Sequence, residues 1–182
     1  MSVSDEMVAA AAAYAEAFVP SGRGASPVRQ LAVVACMDAR LDVFALLGLQ
    51  VGDAHVLRNA GGTVTDDTLR SLVISQRLLG TRETVLVHHT ECGMTSFDDA
   101  EFLETLDRES GVRPPWVPGA FPDAETDVRT SLERIRACPW LISTAARGFV
   151  FDVNTGALTE VESAKGGRSL GVPIQRRPST TL

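Results

Sequence analysis

Short apolar runs alternate with longer amphipathic stretches along this chain, a pattern that predicts strands joined by helices. The apolar runs predict strands over 31–35, 54–58, 84–87, 148–153 and 157–161. Apolar residues at helical spacing predict helices over about 5–18, 41–47, 66–79, 100–109 and 124–138. A helix between two neighbouring strands makes a parallel crossover, whereas the short turn 154–156 makes an antiparallel hairpin. The expected fold class is therefore α/β: a central, mostly parallel β-sheet flanked by helices, with a C-terminal edge hairpin.

Both ends of the chain differ in composition from its middle. We expect Ser4 to cap the first helix, which must end near Pro20, and the segment 21–27 has the glycine, serine and proline content of a linker. The predicted organisation is one domain over 1–165 with a helical arm at about 4–19. Packing of that helix on its own core is the alternative. The segment 166–182 is rich in glycine, proline and arginine and is predicted to be a disordered tail.

Composition and charge narrow the class of protein. The 182 residues are 45% hydrophobic and 22% charged, which suits one soluble domain with a full core. The net charge is −6 and Lys165 is the only lysine, so we expect no nucleic-acid partner. The N-terminus is acidic and the alanine-rich run after it is short, so we expect no membrane association. An odd number of cysteines, three, favours a reducing compartment and hence the cytoplasm.

Candidate metal ligands follow two of the predicted strands. Cys36 comes directly after the run 31–35, and His89 and Cys92 come just after the run 84–87. Active sites gather at the carboxyl ends of parallel strands, and two thiolates with one imidazole suit zinc. A catalytic zinc has three protein ligands and one open position, so we expect one zinc per chain at these residues. The alternatives are a structural metal site, with Asp38 as the only further donor, and a Cys36–Cys92 disulfide.

The motifs together resemble a known family. C-M-D-A-R at 36–40, R-N-A-G at 58–61 and H-T-E-C-G at 89–93 are similar to those of the β-class carbonic anhydrases, closely over 31–97 and more loosely over 147–161. The resemblance implies reversible hydration of carbon dioxide to bicarbonate through a zinc-bound hydroxide. N-terminal helices of the family lie across a partner subunit, which implies a homodimer or a tetramer. The residues that the resemblance assigns to the substrate pocket are His55, Ala60, Gly61 and Gly93.

Asp38 and Arg40 are the expected catalytic pair. A carboxylate held by a guanidinium stays ionised and fixed in direction, so Asp38 can accept a hydrogen bond from the attacking nucleophile. In the family this aspartate can also leave the arginine and occupy the fourth zinc position. The structural alternative is an ordinary salt bridge at a strand end.

Several positions differ from the plant-like members of the family and indicate the smaller, archaeal-type branch. His55 replaces an aromatic residue, and Ile74 and Pro27 stand where those members have tyrosine and glutamine. His55 could shuttle protons, since histidine titrates near neutrality, or could simply be hydrogen-bonded. His88 is expected on the opposite face of its strand from His89, and Cys138 is expected to be a packed thiol. Carbonyl sulfide or carbon disulfide hydrolysis is the alternative function, and a non-catalytic zinc-binding protein is a third hypothesis.

Overall fold

The computed structural model describes residues 2–162, which form a five-stranded sheet with helices on both faces. Its strand order is β2-β1-β3-β4-β5, in which β5 pairs antiparallel to β4 and every other pairing is parallel. The elements are α1 Val3–Ala17, β1 Leu31–Cys36, α2 Val43–Leu47, β2 Ala54–Asn59, α3 Asp66–Leu79, β3 Glu83–His89, α4 Asp99–Ser110, α5 Ala124–Ala137, β4 Ala146–Phe151 and β5 Leu158–Glu160, with short 3-10 turns at Ala60–Gly62 and Gly93–Thr95. The predicted α/β fold and its edge hairpin are confirmed.

The central strands are buried on both faces, which explains why they read as continuous apolar runs rather than as alternating ones. One face of the sheet packs against α3 and α5 through Val34 and Leu86, which meet Leu72 and Leu132. The other face carries Val33, Ala35 and Val87, which pack with α2 and with two loop residues, Leu49 and Phe121. The C-terminal ends of β1 and β3 therefore lie between the two hydrophobic layers that cover the faces of the sheet.

Capping side chains determine where the helices begin and end. Thr65 caps α3 and Gly80 ends it, as predicted. The prediction that Ser4 caps α1 is wrong, because Ser2 and Asp5 form a reciprocal capping box that starts the helix earlier. Asp42 delays α2 to Val43, while Asp98 starts α4 one residue earlier than predicted.

Helix α1 stands away from the rest of the chain. None of its residues is buried, so the alternative in which this helix packs on its own core is not what the structure shows. The tail predicted to be disordered, 166–182, lies outside the described residues. Within residues 2–162, no helix combines the length and the apolar character that crossing a membrane requires.

Candidate metal centre

The three predicted ligands meet at the carboxyl end of the sheet. Cys36 is the last residue of β1, His89 is the last of β3, and Cys92 follows in the next turn. Their donor atoms all lie within 4.8 Å of one another, and all three residues are buried. The parallel register of β1 and β3 brings together residues more than fifty positions apart in the sequence.

The sulfur atoms of Cys36 and Cys92 are 3.9 Å apart. A disulfide requires about 2.05 Å, so the disulfide alternative is wrong for this structure. Two thiolates at about 2.3 Å from one tetrahedral zinc ion would be roughly 3.8 Å apart. The observed separation therefore fits two ligands of one zinc ion.

The His89 ring is oriented as a ligand. Its Nδ1 lies 2.8 Å from the Thr90 carbonyl oxygen, which can only accept, so Nδ1 carries the proton. Its Nε2 is buried and has no hydrogen-bond partner among the described residues. A carbonyl that fixes the tautomer while the other nitrogen faces the donor cluster is the usual arrangement of a ligating histidine. The nearby Cys36 sulfur raises the pKa of His89, and burial opposes that shift.

The two thiols have different acidities. Burial raises the pKa of Cys36, but the nearby His89 ring and hydrogen bonds from the backbone of Asp38 and Gly61 outweigh it and leave this pKa below its ordinary value. Burial raises the pKa of Cys92 to about 11, and the neighbouring Cys36 adds to the shift. A second thiolate is disfavoured beside the first unless a cation balances both charges. Bound metal supplies that balance and deprotonates coordinating thiols.

Asp38 lies beside the cluster without joining it. Arg40 donates to both carboxylate oxygens, from Nε to Oδ1 at 3.0 Å and from Nη2 to Oδ2 at 2.8 Å. These hydrogen bonds hold the pKa of Asp38 well below its usual range. Asp38 Oδ2 is 3.7 Å from His89 Nε2. The described residues thus supply three clustered donors and an oriented carboxylate, an arrangement that favours a catalytic site over a four-ligand structural one.

Glu91 is a neighbour of the pair that sequence reasoning missed. Its backbone has a φ of 55°, in the left-handed region, and its carbonyl oxygen accepts a hydrogen bond from Arg40 Nη2 at 3.2 Å. Its carboxylate contacts Arg40 at 3.4 Å and accepts from Asn154 Nδ2 at 2.8 Å. Glu91 lies inside the H-x-x-C motif, but no spacing rule assigns a role to that position.

Arg58 is the second residue that was missed. Its guanidinium donates to the carbonyl oxygens of Cys36 at 3.0 Å and Asp38 at 2.6 Å. The next residue, Asn59, donates to the Thr63 carbonyl at 2.9 Å and so closes the turn that follows β2. A polar pair at the end of an apolar strand was the only sequence signal for these contacts.

The glycine-rich turn Ala60–Gly62 lies directly against β1. Gly61 and Gly62 have φ values of 76° and 74°. A Cβ on Gly62 would lie 2.7 Å from the backbone nitrogen of Cys36. The turn that contains Ala60 and Gly61 therefore packs against the backbone of Cys36. Gly93 begins the 3-10 turn that follows Cys92.

His55 is not brought to the cluster. It pairs with Ala32 near the start of β2, four residues and about 13 Å of strand before the carboxyl end. Its ring nitrogens lie 2.7 Å from Ser75 Oγ and 3.2 Å from the Ala25 carbonyl oxygen. The assignment of His55 to the pocket is therefore corrected: within this chain it is a hydrogen-bonded residue of the other sheet end.

Known proteins share both the sequence and the fold. Residues 31–158 match the protein family described as carbonic anhydrase. Beta-carbonic anhydrase 1 of Mycobacterium tuberculosis is 53% identical over 165 residues, which cover 88% of this chain and 99% of the relative. A carbon disulfide hydrolase of Acidithiobacillus thiooxidans is 35% identical over 152 residues, covering 71% and 76%. The crystal structure of carbonic anhydrase from Streptococcus mutans superposes with a TM-score of 0.82 at 42% identity, covering 89% of this chain and 99% of that one.

Proposed function

Because the chain belongs to the carbonic anhydrase family and has that family's activity, the reversible hydration of carbon dioxide, we propose that one zinc ion per chain is its cofactor. Cys36, His89 and Cys92 are the proposed ligands. The observation that carries the proposal is a buried set of three donors beside a fixed carboxylate. Bound there, zinc supplies a Lewis acid that lowers the pKa of a water molecule towards neutrality.

Asp38 is the proposed catalytic carboxylate. Its two oxygens are occupied by Arg40 on one side, and Oδ2 faces His89 Nε2 at 3.7 Å on the other. In this position Asp38 accepts a hydrogen bond from the attacking water and directs a lone pair of that oxygen at the substrate carbon. Arg40 keeps the carboxylate ionised and fixed in direction. Ala60, Gly61 and Gly93 remain the proposed lining of the substrate pocket.

Carbon disulfide or carbonyl sulfide is the second candidate substrate, supported by the similarity to a carbon disulfide hydrolase. These molecules are linear like carbon dioxide, and the same oriented nucleophile can attack their central carbon. Initial rates with the three substrates on one zinc-loaded sample decide between the activities. Faster turnover of a sulfur substrate than of carbon dioxide would show that carbon dioxide is not the preferred substrate.

The ligand assignment is tested by exchanging each cysteine for serine. Cys36→Ser and Cys92→Ser are expected to lose zinc and activity together, because a serine hydroxyl loses its proton to a bound metal far less readily than a thiol does and is a poorer zinc ligand. Cys138→Ser is the matched control, since Cys138 is equally buried but lies in the apolar core beside α5. Zinc content measured by atomic absorption should fall from about one per chain only in the first two variants. Full zinc content in either would refute the assignment.

The role of Asp38 is tested by Asp38→Asn, which keeps the shape of the side chain and removes its charge. Loss of a hydrogen bond to a charged group costs roughly 1.5–3 kcal/mol, which corresponds to about a ten- to hundredfold lower kcat. Zinc content should stay at the parent value, because Asp38 is not in the donor cluster. Unchanged hydration rates across pH 6–9 would show that the Asp38–Arg40 pair is only structural.

We also propose a homodimer, with a tetramer as the larger alternative. Apolar side chains recur at helical spacing on α1 and its C-terminal cap and are all more than half exposed: Val3, Met7, Tyr14 and Phe18. A mostly apolar groove between α3 and Trp140 offers a second copy a surface to cover; it is lined by Leu69, Val73, Ile74 and Trp140, with Asp66 and Arg70. Sedimentation should give twice the chain mass at micromolar concentration; an active monomer would exclude this assembly. Three free thiols favour a reducing, cytoplasmic location.

A further inference from the structure

The buried pair of His88 and Asp127 has no part in the proposed mechanism. His88 is 1% exposed and lies on the opposite face of β3 from His89. Its Nε2 lies 2.7 Å from Oδ2 of Asp127, in the first turns of α5. The carboxylate can only accept, so the Nε2 proton points at α5. A residue next to a metal ligand is thus held by a helix that contributes no ligand.

A chain of hydrogen bonds extends from Asp127 to the turn that packs against Cys36, the proposed ligand at the end of β1. Ser131, one helical turn after Asp127, has its Oγ 3.4 Å from the same carboxylate oxygen. That Oγ accepts a hydrogen bond from the backbone N–H of Val64 at 3.1 Å. Val64 follows the turn Ala60–Gly62, which packs against the backbone of Cys36. One row of side chains on α5 therefore binds both β3 and the turn against β1.

An aromatic ring supports the same connection. Phe121 is buried, and its ring centroid lies 5.8 Å from that of His88. Its Cε1 would lie 2.8 Å from a Cβ built on Gly61, so the ring packs directly on the turn. Its backbone N–H donates to the Met94 carbonyl at 3.2 Å, just after Cys92. The packing leaves little freedom for His88 to move relative to the turn.

We propose that His88 and Asp127 are positioning residues that set the spacing between the His89 and Cys36 ligands. The inference rests on the proposed metal centre. Ligand side chains must be held to about 0.5 Å for productive coordination, and a locked neighbouring residue is one way to achieve this. Because a strand alternates its side chains between two faces, fixing His88 also fixes the backbone from which His89 projects.

A purely structural role predicts a different result, namely lower stability with unchanged coordination. Asp127→Ala removes the acceptor, whereas Asp127→Asn keeps an amide oxygen for the His88 proton. Leu132→Ala is the matched control on the same helix, because Leu132 is buried in the core and its apolar side chain forms no hydrogen bond with His88 or Val64. It should lower the melting temperature at least as much as Asp127→Ala.

The measurement is the zinc dissociation constant, from competition with a chromogenic chelator, together with the cobalt thiolate absorption spectrum. Asp127→Ala is expected to weaken zinc binding by about ten- to hundredfold and to shift the cobalt bands. Asp127→Asn is expected to keep the zinc dissociation constant within about threefold of the parent value and to leave the cobalt bands in place, because the amide oxygen still accepts the His88 proton. Leu132→Ala is expected to leave both unchanged.

Parent-like zinc affinity and cobalt spectrum in Asp127→Ala would overturn the inference, as would equal weakening in Leu132→Ala. If Asp127→Ala does not fold, His88→Phe carries the test, because a phenyl ring fills similar space but donates no proton to Asp127. It should weaken zinc binding as Asp127→Ala does, and parent-like affinity would overturn the inference. Failure of the metal centre itself is distinguishable, because the parent protein would then bind no zinc. The inference alone fails if the parent binds zinc through its cysteines and Asp127→Ala binds it equally well.

Discussion

Substitution of Gly62 by alanine tests how the turn after β2 supports the first metal ligand. Gly62 has a φ of 74°, which an L-residue adopts only with strain. The added Cβ would lie 2.7 Å from Cys36 N, 3.0 Å from the Ala35 carbonyl carbon and 3.2 Å from the Val87 carbonyl oxygen. All three atoms belong to the backbone of β1 and β3, two inner strands of the sheet. No flexible side chain is available to move away.

Two costs add at this position. A left-handed conformation costs an L-residue roughly 1–2 kcal/mol. Overpacking against atoms that cannot rearrange costs about 1–3 kcal/mol more. Gly62→Ala is therefore expected to lower the free energy of unfolding by about 2–5 kcal/mol. Displacement of the Cys36 backbone should also weaken zinc binding.

The matched control is Gly80→Ala. Gly80 ends α3 with a φ of 79°, but nothing lies within 4 Å of a Cβ built there. It should show only the conformational cost, about 1–2 kcal/mol, and no change in zinc affinity. Urea unfolding should be followed with a chelator present, because metal binding stabilises the folded state by mass action. Equal losses in the two variants would refute the close approach of the turn to β1.

Two further predictions concern residues away from the metal centre. Asp53 accepts from the Gln50 backbone and from Arg23, which together hold the pKa of this carboxyl below its ordinary value. Because the pKa of this carboxyl is lower in the folded state than in the unfolded chain, it stabilises the fold at a pH above its unfolded-state pKa. That stabilisation is lost as the pH falls through the folded-state pKa. Asp53→Asn should therefore be less stable than the parent at pH 7, and the difference between their urea unfolding midpoints should shrink below about pH 4. A difference that does not change with pH would contradict the ion pair of Asp53 with Arg23. Cys138→Ala should lose roughly 1–2 kcal/mol of stability from the core and keep a full zinc complement by atomic absorption, and lost zinc would contradict its role as a packed thiol.

The clustering of the three proposed metal ligands was predictable because the apolar runs end directly before them or a few residues earlier. Continuous burial of β1 and β3 required parallel neighbours, and parallel neighbours place their carboxyl ends together. That rule alone brings Cys36 to His89, and the structure places their donor atoms within one small cluster. Glycines that follow β2 likewise indicated a close backbone approach, and Gly62 lies against Cys36.

Contacts made by long polar side chains were not predictable in the same way. The sequence indicated that His55 lines the pocket, but its pairing with Ala32 places it at the end of the sheet opposite the metal centre. Ser4 read as a helix cap, although Ser2 with Asp5 completes a reciprocal pair. No periodicity indicates that Arg58 holds the backbone carbonyls of the loop that bears Asp38.

The amino-acid sequence by itself determined the order of strands and helices, the α/β class and the three candidate metal donors, because burial periodicity and residue chemistry are local properties of the chain. Tertiary structure decided the role of α5, whose Asp127 reaches His88 across 39 positions. It also decided that Arg40 is shared between Asp38 and Glu91. These choices depend on distances between segments that meet only after the sheet has formed, and such distances are set by packing of the whole domain rather than by any local pattern.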